Sequence, residues 1–265
     1  MENYHSHTEF CDGRASMEEM AAAAFAAGFD AWGASPHSPV CCPSCANMTV
    51  ESVPAFLEES ERLKSLYAGR MKILTGMEID YISPEFGPHS DYFRSLPLDY
   101  RIGSVHFVRT RQGKPVDVDG PAERFLKYLD SEYAGDLRYV VETYFAMQME
   151  MLDFGGFDII GHLDKIGDNG SAAQADLEDQ PWYAGLVECV IAKAVEKNVT
   201  IEINTKKYPV SGRFFPSQRW WRLLKDYGAR IVLSTDAHYP DKVAAGYCEA
   251  AHLLQNSGIQ LNSQF

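Results

Sequence analysis

The hydrophobic pattern of this chain alternates between two kinds of segment. Short apolar runs are followed by longer stretches with helical periodicity, several of which end at a glycine. This alternation is typical of βα units around a parallel sheet. The pattern predicts strands at 4–8, 29–35, 71–81, 100–108, 157–161, 199–203 and 230–234. It predicts helices at 16–28, 49–68, 121–152 with a break near Gly135, 182–197, 216–227 and 242–256, and an inserted loop at 109–120.

About seven βα units result from this pattern, and 265 residues are an ordinary length for one α/β barrel. Ser16 and Glu19 have the spacing of a capping box at the start of the first helix. No internal repeat or low-complexity linker divides the chain. We therefore expect a single domain over residues 1–265.

Composition and charge narrow the class of protein. Hydrophobic residues make up 46% of the chain, enough for a substantial core, and the formal net charge is -13. So negative a chain lacks the electrostatic footprint of a general nucleic-acid-binding protein. An anionic substrate would need a local positive site, which bound metal ions supply. The sequence shows neither a membrane-spanning apolar run nor a signal-peptide pattern, so we expect a cytoplasmic protein.

Potential metal ligands gather at the predicted C-terminal ends of strands, where a βα barrel builds its active site. They are His5, His7, His37, Glu78, His106, His162, Asp236 and His238. Any one of these short motifs arises easily by chance, but their joint placement indicates a functional site. The two other histidines, His89 in a polar turn and His252 in the last helix, are predicted to be structural.

The residue types indicate a metal centre that acts on phosphate. Imidazole nitrogens and carboxylate oxygens together suit Zn, Mn or Fe ions. Alternate residues of a strand point to the same side, so His5 and His7 can bind one ion together. Glu78 can bridge two ions through its two oxygens. Paired ions lower the pKa of a shared water and neutralise charge on a transferring phosphoryl group.

These motifs resemble those of the PHP (polymerase and histidinol phosphatase) superfamily. The opening His5-Ser6-His7-Thr8 and Cys11-Asp12-Gly13-Arg14 are similar to its first motif, and Ser35-Pro36-His37 follows. Gly76 to Tyr81 and Gly103 to Phe107 look like the histidinol-phosphatase branch in particular. Gly161-His162-Leu163-Asp164 and Ser234-Thr235-Asp236-Ala237-His238 complete the resemblance, which extends to about Leu254.

The resemblance implies a distorted (βα)7 TIM-like barrel that holds three divalent metal ions (Zn, Mn or Fe) at the C-terminal ends of the strands. Carried over residue by residue, it assigns His5, His7, Glu78 and Asp236 to the first ion. It assigns Glu78, His106 and His162 to the second, and Asp12, His37 and His238 to the third. A metal-bridging hydroxide would attack phosphorus in line, and Glu78, Asp236 and His238 are the expected catalytic residues, with Asp236 or His238 protonating the leaving oxygen.

The cations expected to bind phosphate depart from the family pattern. Relatives carry arginine after the histidine of strand five and after strand six, whereas this chain offers Lys165, Lys206, Lys207 and Arg213. A lysine lacks the guanidinium fork, so it holds phosphate less directionally. Glu9, Phe10 and Asp80 lie beside proposed ligands and are candidates for contacts with the rest of the substrate.

The leading hypothesis is hydrolysis of L-histidinol phosphate to L-histidinol and phosphate, in histidine biosynthesis. The alternatives are a PHP-type phosphoesterase acting on another small phosphate ester or a nucleotide, a protein-tyrosine phosphatase, and a non-catalytic metal-binding module of the kind attached to polymerases. A small-molecule substrate is the only expected partner, without nucleic acid or membrane, and the oligomeric state stays open. Cys41, Cys42 and Cys45 have spacing that allows part of a zinc knuckle, but no second pair follows, so free thiols in a loop are predicted.

Overall fold

The computed structural model describes residues 1–263. Its strands are β1 Glu2–Asn3, β2 Ala31–Ala34, β3 Lys72–Thr75, β4 Glu78–Asp80, β5 Ile102–Ser104, β6 Phe107–Arg109, β7 Pro115–Asp117, β8 Ile159–Ile160, β9 Thr200–Asn204 and β10 Ile231–Ser234. Its α-helices are α1 Met17–Ala26, α2 Val53–Tyr67, α3 Asp91–Ser95, α4 Ala122–Tyr133, α5 Leu137–Phe154, α6 Ile166–Ala173, α7 Pro181–Glu196, α8 Tyr208–Ser211, α9 Trp221–Asp226 and α10 Tyr247–Asn256. The predicted alternation of strand and helix is confirmed.

Two parallel sheets form the centre of the α/β fold. One has the order β1-β2-β3 and the other β10-β9-β8-β5-β4, and every strand pair within them is parallel. Strands such as β2 and β10 are buried along their whole length. Parallel strands covered on both faces have continuous apolar runs of this kind. The short apolar segments in the sequence therefore mark the strands well.

Backbone hydrogen bonds also connect the edges of the two sheets. After β1, the amide of His7 donates to the carbonyl of Ala237, which follows β10 (2.8 Å). On the other side, the amide of Ser38 donates to the carbonyl of Glu78 (2.8 Å), and the amide of Glu78 donates to the carbonyl of Pro36 (3.1 Å). The extension of β1 thus carries His7 to the end of β10, and the extension of β2 carries His37 to the start of β4.

Tyr100 fills space between the strands. Its ring is fully buried against Gly33 and Gly76, and its hydroxyl donates to the carbonyl of Tyr4. A Cβ atom at Gly33 or Gly76 would lie within 2.2 Å of the Tyr100 side chain. Both glycines are therefore required by the close approach of this ring.

Three details of the predicted elements are wrong. The segment 109–120 is not a plain loop, because β6 and β7 pair in an antiparallel hairpin around buried Val116. The single strand predicted at 71–81 is two strands, β3 and β4. The helix predicted from Pro216 begins only at Trp221, because the backbone of Phe215 is engaged in two hydrogen bonds with Asn204.

The last helix also begins later than predicted, at Tyr247 rather than at 242. Gly246 has a φ of 73°, in the left-handed region, so a regular helix cannot continue through it. The capping box of α1 is confirmed, since Ser16 and Glu19 exchange side-chain and backbone hydrogen bonds. Across residues 1–263, no helix combines the length and the apolar character needed to cross a membrane.

Candidate metal centre

The predicted ligands lie close to strand ends and converge on one carboxylate, Glu78, the first residue of β4. Around Glu78 Oε2 lie His5 Nε2 at 3.1 Å, His37 Nδ1 at 3.0 Å and His7 Nε2 at 3.6 Å. Around Oε1 lie His162 Nε2 at 2.8 Å and His106 Nε2 at 3.4 Å. The two oxygens of Glu78 therefore face two different sets of imidazoles.

A second part of the cluster is built around Asp236 and Asp12. Asp236 Oδ1 lies 3.0 Å from His7 Nε2. Asp12 Oδ1 lies 3.3 Å from His238 Nε2 and 3.8 Å from His37 Nε2. The structure thus brings together all nine side chains that the sequence suggested as ligands.

The donor atoms of this cluster fit divalent ions. Six buried side-chain atoms of these residues make no hydrogen bond within residues 1–263: His5 Nε2, His7 Nε2, His37 Nδ1, Asp12 Oδ1, Glu78 Oε2 and His162 Nδ1. A buried polar atom without a partner is costly, and such atoms are rare in folded proteins. Nitrogen and carboxylate oxygen at these separations match the ligand preferences of zinc, manganese and iron.

The atoms fall into four overlapping groups, each with its members within 4.8 Å of one another. They are His7 with Asp12, His37 and His238; His5 with Glu78 and His162; His5 with His7 and Asp236; and His37 with Asp80 and His106. The last group includes Asp80, which the sequence suggested only as a substrate contact.

Two buried carboxylates orient the imidazoles, and the sequence did not identify this role. Glu202 Oε1 lies 2.7 Å from His5 Nδ1, and Asp80 Oδ1 lies 2.8 Å from His106 Nδ1. An ionised carboxylate can only accept, so Nδ1 of each ring donates and Nε2 is left facing Glu78. Metal-binding histidines commonly have such a partner. A charged residue inside an apolar strand, as Glu202 is in Thr-Ile-Glu-Ile-Asn, is a signal that could have identified it.

The charges of the cluster support one another. Burial raises the pKa of the Glu78 carboxyl, but the nearby histidines, His5 first, outweigh it and hold the pKa well below its usual range. Burial likewise raises the pKa of Asp236, and Lys206 and His5 bring it far below the usual value. Burial and the charge of Lys165 lower the pKa of His162 to about 4. Both carboxylates are therefore ionised, and His162 is neutral, as metal ligands must be.

Two of the proposed ligands have unusual backbone conformations. His162 has a φ of 23° and Asp236 a φ of 50°. Residues other than glycine rarely adopt positive φ, and such residues concentrate at functional sites. The strain directs both side chains into the cluster around Glu78.

The four cations suggested as phosphate ligands are placed differently. Lys206 Nζ lies 3.0 Å from Asp236 Oδ1 and 3.3 Å from His238 Nε2, so it belongs to the cluster. Lys165 is buried, and its charge acts on Asp236 and Glu78. Lys207 instead pairs with Asp168 at 2.9 Å, and Arg213 hydrogen-bonds to Glu178. Only the first two lysines are near the metal ligands.

A cavity of about 740 Å³ opens beside the cluster. Its wall includes Asp12, His37, His106, Lys206 and His238 from the cluster. The rest comes from Arg14, the segment 42–47, the β6–β7 hairpin, the residues that follow it and α4. Glu9 and Phe10, suggested as substrate contacts, are absent from this wall; Glu9 is exposed and Phe10 packs against Phe56.

The remaining histidines and the crowded cysteines lie outside the cluster. His89 bonds to the carbonyl of Pro84 and stacks on Phe154, and His252 bonds to Asn256. All six cysteines are free; Cys41 and Cys45 are exposed and Cys42 is half-buried. None of the ligand groups found among the described residues contains a cysteine.

Comparison with protein families places this cluster in a known context. The family model of the PHP domain matches residues 3–206, which is more than half of the chain. The chain belongs to the PHP domain family. The curated relatives of this PHP protein include the "Probable histidinol-phosphatase" of Schizosaccharomyces pombe, 27% identical over 96% of this chain and 86% of the relative. The histidinol-phosphatase of Bacillus subtilis is 29% identical over 92% of this chain and 95% of its own length.

Solved structures share the fold of this PHP protein. Histidinol phosphate phosphatase of Lactococcus lactis, in complex with zinc, L-histidinol and phosphate, has a TM-score of 0.75 at 20% identity and covers 100% of this chain and 96% of its own. A Listeria monocytogenes protein assigned to the histidinol phosphatases reaches a TM-score of 0.82 at 21% identity, covering 94% of this chain and 99% of its own. At this level of identity the likeness establishes the fold.

Proposed function

We propose that this protein hydrolyses L-histidinol phosphate to L-histidinol and phosphate. The observation that carries the proposal is the set of buried, unpaired nitrogen and oxygen atoms around Glu78, which lies beside a cavity large enough for a small phosphate ester. Relatives aligned over nearly the whole chain are named histidinol-phosphatases. A Lactococcus lactis protein of the same fold binds zinc, L-histidinol and phosphate.

The proposed ligands divide among three ions. The first is assigned to His5, His7, Glu78 and Asp236, the second to Glu78, His106 and His162, and the third to Asp12, His37 and His238. The ligand groups support the first and third sets in part, since His5 and His7 group with Asp236, and Asp12 groups with His37 and His238. For the second set they join Glu78 to His162 and His5, whereas His106 groups with His37 and Asp80. Divalent ions in these positions would activate water and neutralise phosphate charge. Zinc, manganese and iron all suit the donor set.

The protein's own residues would bind and orient the ester. Lys206, which lines the cavity, is placed to contact a phosphate oxygen, and the buried Lys165, paired with Asp119, adds positive charge nearby. Proton donation to the leaving oxygen is assigned to Asp236 or His238; of the two, only His238 lines the cavity. Glu78 is fully buried and serves to hold the ions.

The same proposal covers the architecture around the site. The hydrogen bonds of His7 with Ala237 and of Glu78 with Pro36 support closure of the two sheets into one distorted (βα)7 barrel. In such a barrel the metal site lies at the C-terminal ends of the strands. The single domain would extend past residue 206, since Asp236 and His238 contact ligands from the N-terminal part of the chain.

Substrate selectivity tests the proposal. The centre can act on any phosphate monoester, so selectivity must come from polar contacts with the rest of the molecule. We expect kcat/KM for histidinol phosphate to exceed that for p-nitrophenyl phosphate or a nucleoside monophosphate by at least about a hundredfold. Glu78→Gln tests whether turnover depends on the metal centre. Elemental analysis should show that this variant has lost metal, and it should lose nearly all turnover. Comparable kcat/KM values across the esters would remove the histidinol assignment.

A further inference from the structure

Residues 118–120 follow the β6–β7 hairpin, and all three of their backbone carbonyls accept hydrogen bonds from side chains. The side-chain amide of Asn169 donates to the carbonyls of Val118 (2.9 Å) and Gly120 (3.2 Å). Arg124 donates to the carbonyl between them, that of Asp119 (2.7 Å). Gly120 has a φ of 85°, which only glycine adopts without strain. A segment held in this way presents its one outward-facing polar side chain, Asp119, in a fixed position.

That carboxylate faces the cavity beside the metal centre. The amide of Val118 donates to the carbonyl of His106 (2.9 Å), so Asp119 lies next to a proposed metal ligand. Its Oδ2 pairs with the buried Lys165 Nζ at 2.8 Å. Within residues 1–263 no group donates a hydrogen bond to its other oxygen, Oδ1. The side chain is 34% exposed and forms part of the cavity wall.

The charges of Lys206 and Asp119 on this wall, and of Lys165 behind Asp119, complement a particular kind of substrate. Lys165 and Lys206 are cations that suit a phosphate, and Asp119 places a carboxylate oxygen within the same small region. A molecule with a phosphate and an ammonium group on neighbouring carbons would find an opposite charge for each of them. A charge-assisted hydrogen bond to a fixed carboxylate is strong and directional.

We propose that Asp119 is a specificity-determining residue whose free carboxylate oxygen binds the ammonium group of an amino-alkyl phosphate ester. The inference rests on the proposed function, because histidinol phosphate is such an ester. Lys165 holds the other oxygen and thereby orients the carboxylate. The neighbouring Asp117 does not have this role, because its oxygens accept from Arg124 and from the amide of Asp119.

A pair of substrates tests the role of Asp119. Histidinol phosphate is compared with 3-(imidazol-4-yl)propyl phosphate, which lacks only the amino group. Asp119→Asn should lower kcat/KM for histidinol phosphate at least about tenfold, the loss expected for one charge-assisted hydrogen bond, and leave the analogue nearly unchanged. Glu132→Gln removes a carboxylate from the far wall of the same cavity, where it pairs with Lys114, and should affect the two esters equally.

A second measurement does not depend on turnover. Calorimetric titration should show that Asp119→Asn weakens binding of L-histidinol but not of its counterpart without the amino group, while the unfolding temperature and metal content stay unchanged. Equal losses for both esters would overturn the inference, since Asp119 would then act only through Lys165. So would the absence of any loss. A wild type that hydrolyses neither ester removes the proposed function, and the titration still decides the role of Asp119.

Discussion

Glu202 is fully buried in the middle of β9, yet each of its oxygens has a partner. Oε1 pairs with His5 Nδ1, and Oε2 accepts from the amide of His162 (2.9 Å) and from the side chain of Asn204 (3.1 Å). One carboxylate therefore fixes the ring of His5 and the backbone of His162. Burial raises the pKa of the Glu202 carboxyl, but His5 outweighs this effect, and the pKa lies below its usual value. Glu202 therefore stays ionised and accepts hydrogen bonds.

Replacing Glu202 by Gln should weaken metal binding. An amide can present its NH2 group to His5 Nδ1, which releases the ring from the orientation that points Nε2 at Glu78. Loss of such a partner commonly reduces metal affinity by about 10–100-fold. Competition with a chromogenic chelator measures the affinity, and Glu188→Gln, on the exposed face of α7, is the control. Unchanged affinity in a folded Glu202→Gln variant would show that His5 is held by other contacts.

At this scale the sequence predicted which side chains converge better than it predicted the carboxylates that orient them. His5, Glu78 and Asp236 are unusual residue types in recognisable spacings, so their convergence was foreseeable. Glu202 and Asp80 act through hydrogen bonds to atoms distant in the sequence, which no local pattern records. The sequence also did not distinguish the cations near the site from those outside it. Only the folded structure shows that Lys165 pairs with Asp119 and Lys207 with Asp168.

Elements are positioned by close packing of the strands around Tyr100. Its ring occupies the space that a side chain at Gly33 or Gly76 would need, and Gly76 leads directly into β4 and Glu78. β3 ends and β4 begins at this point, where the sequence predicted one strand instead of two. Apolar residues recur from Ile73 to Ile79, and the interruption arises from the tertiary contact of Gly76 with Tyr100. The β6–β7 hairpin was missed for a related reason, since a polar stretch separates its buried valines, Val108 and Val116.

Gly76→Ala should destabilise the protein by about 1–3 kcal/mol, the usual cost of overpacking a filled interior. The added methyl would meet the buried ring of Tyr100, which is held by the carbonyl of Tyr4 and cannot turn aside. The control is Gly185→Ala on the exposed face of α7, where a Cβ atom meets nothing and alanine should stabilise by up to about 1 kcal/mol. Urea unfolding measures both changes. Equal stability of the two variants would contradict this account of the core.

On the scale of the whole molecule, the metal centre joins distant parts of the chain. His5 precedes α1, Glu78 begins β4, His162 follows β8, and Asp236 follows β10. Ions that bind only the folded state stabilise it by mass action, about 2.7 kcal/mol at a free concentration 100 times the Kd. The folded protein should therefore depend on metal for part of its stability.

Removing the ions with a chelator should lower the unfolding temperature by at least about 5 °C, given the size of the domain. Re-addition of zinc or manganese should restore it. Differential scanning calorimetry measures the change, and Glu78→Gln should respond less to the chelator because it starts with fewer ions. An unfolding temperature that stays constant after elemental analysis has verified metal removal would show that the ligands are held by the protein alone.

The contacts between the two ends of the chain have a consequence for biosynthesis. The side chain of Asn3 donates to Thr235 and to the carbonyl of Val243, and the hydroxyl of Tyr247 donates to the carbonyl of Glu2. During translation, β1 leaves the ribosome well before residues 235–247, which it contacts in the folded structure. Until then His5 and His7 lack Asp236 beside them, so the nascent chain cannot assemble its full set of ligands. Metal capture by the full set therefore follows the synthesis of residue 238 and belongs to a late stage of folding.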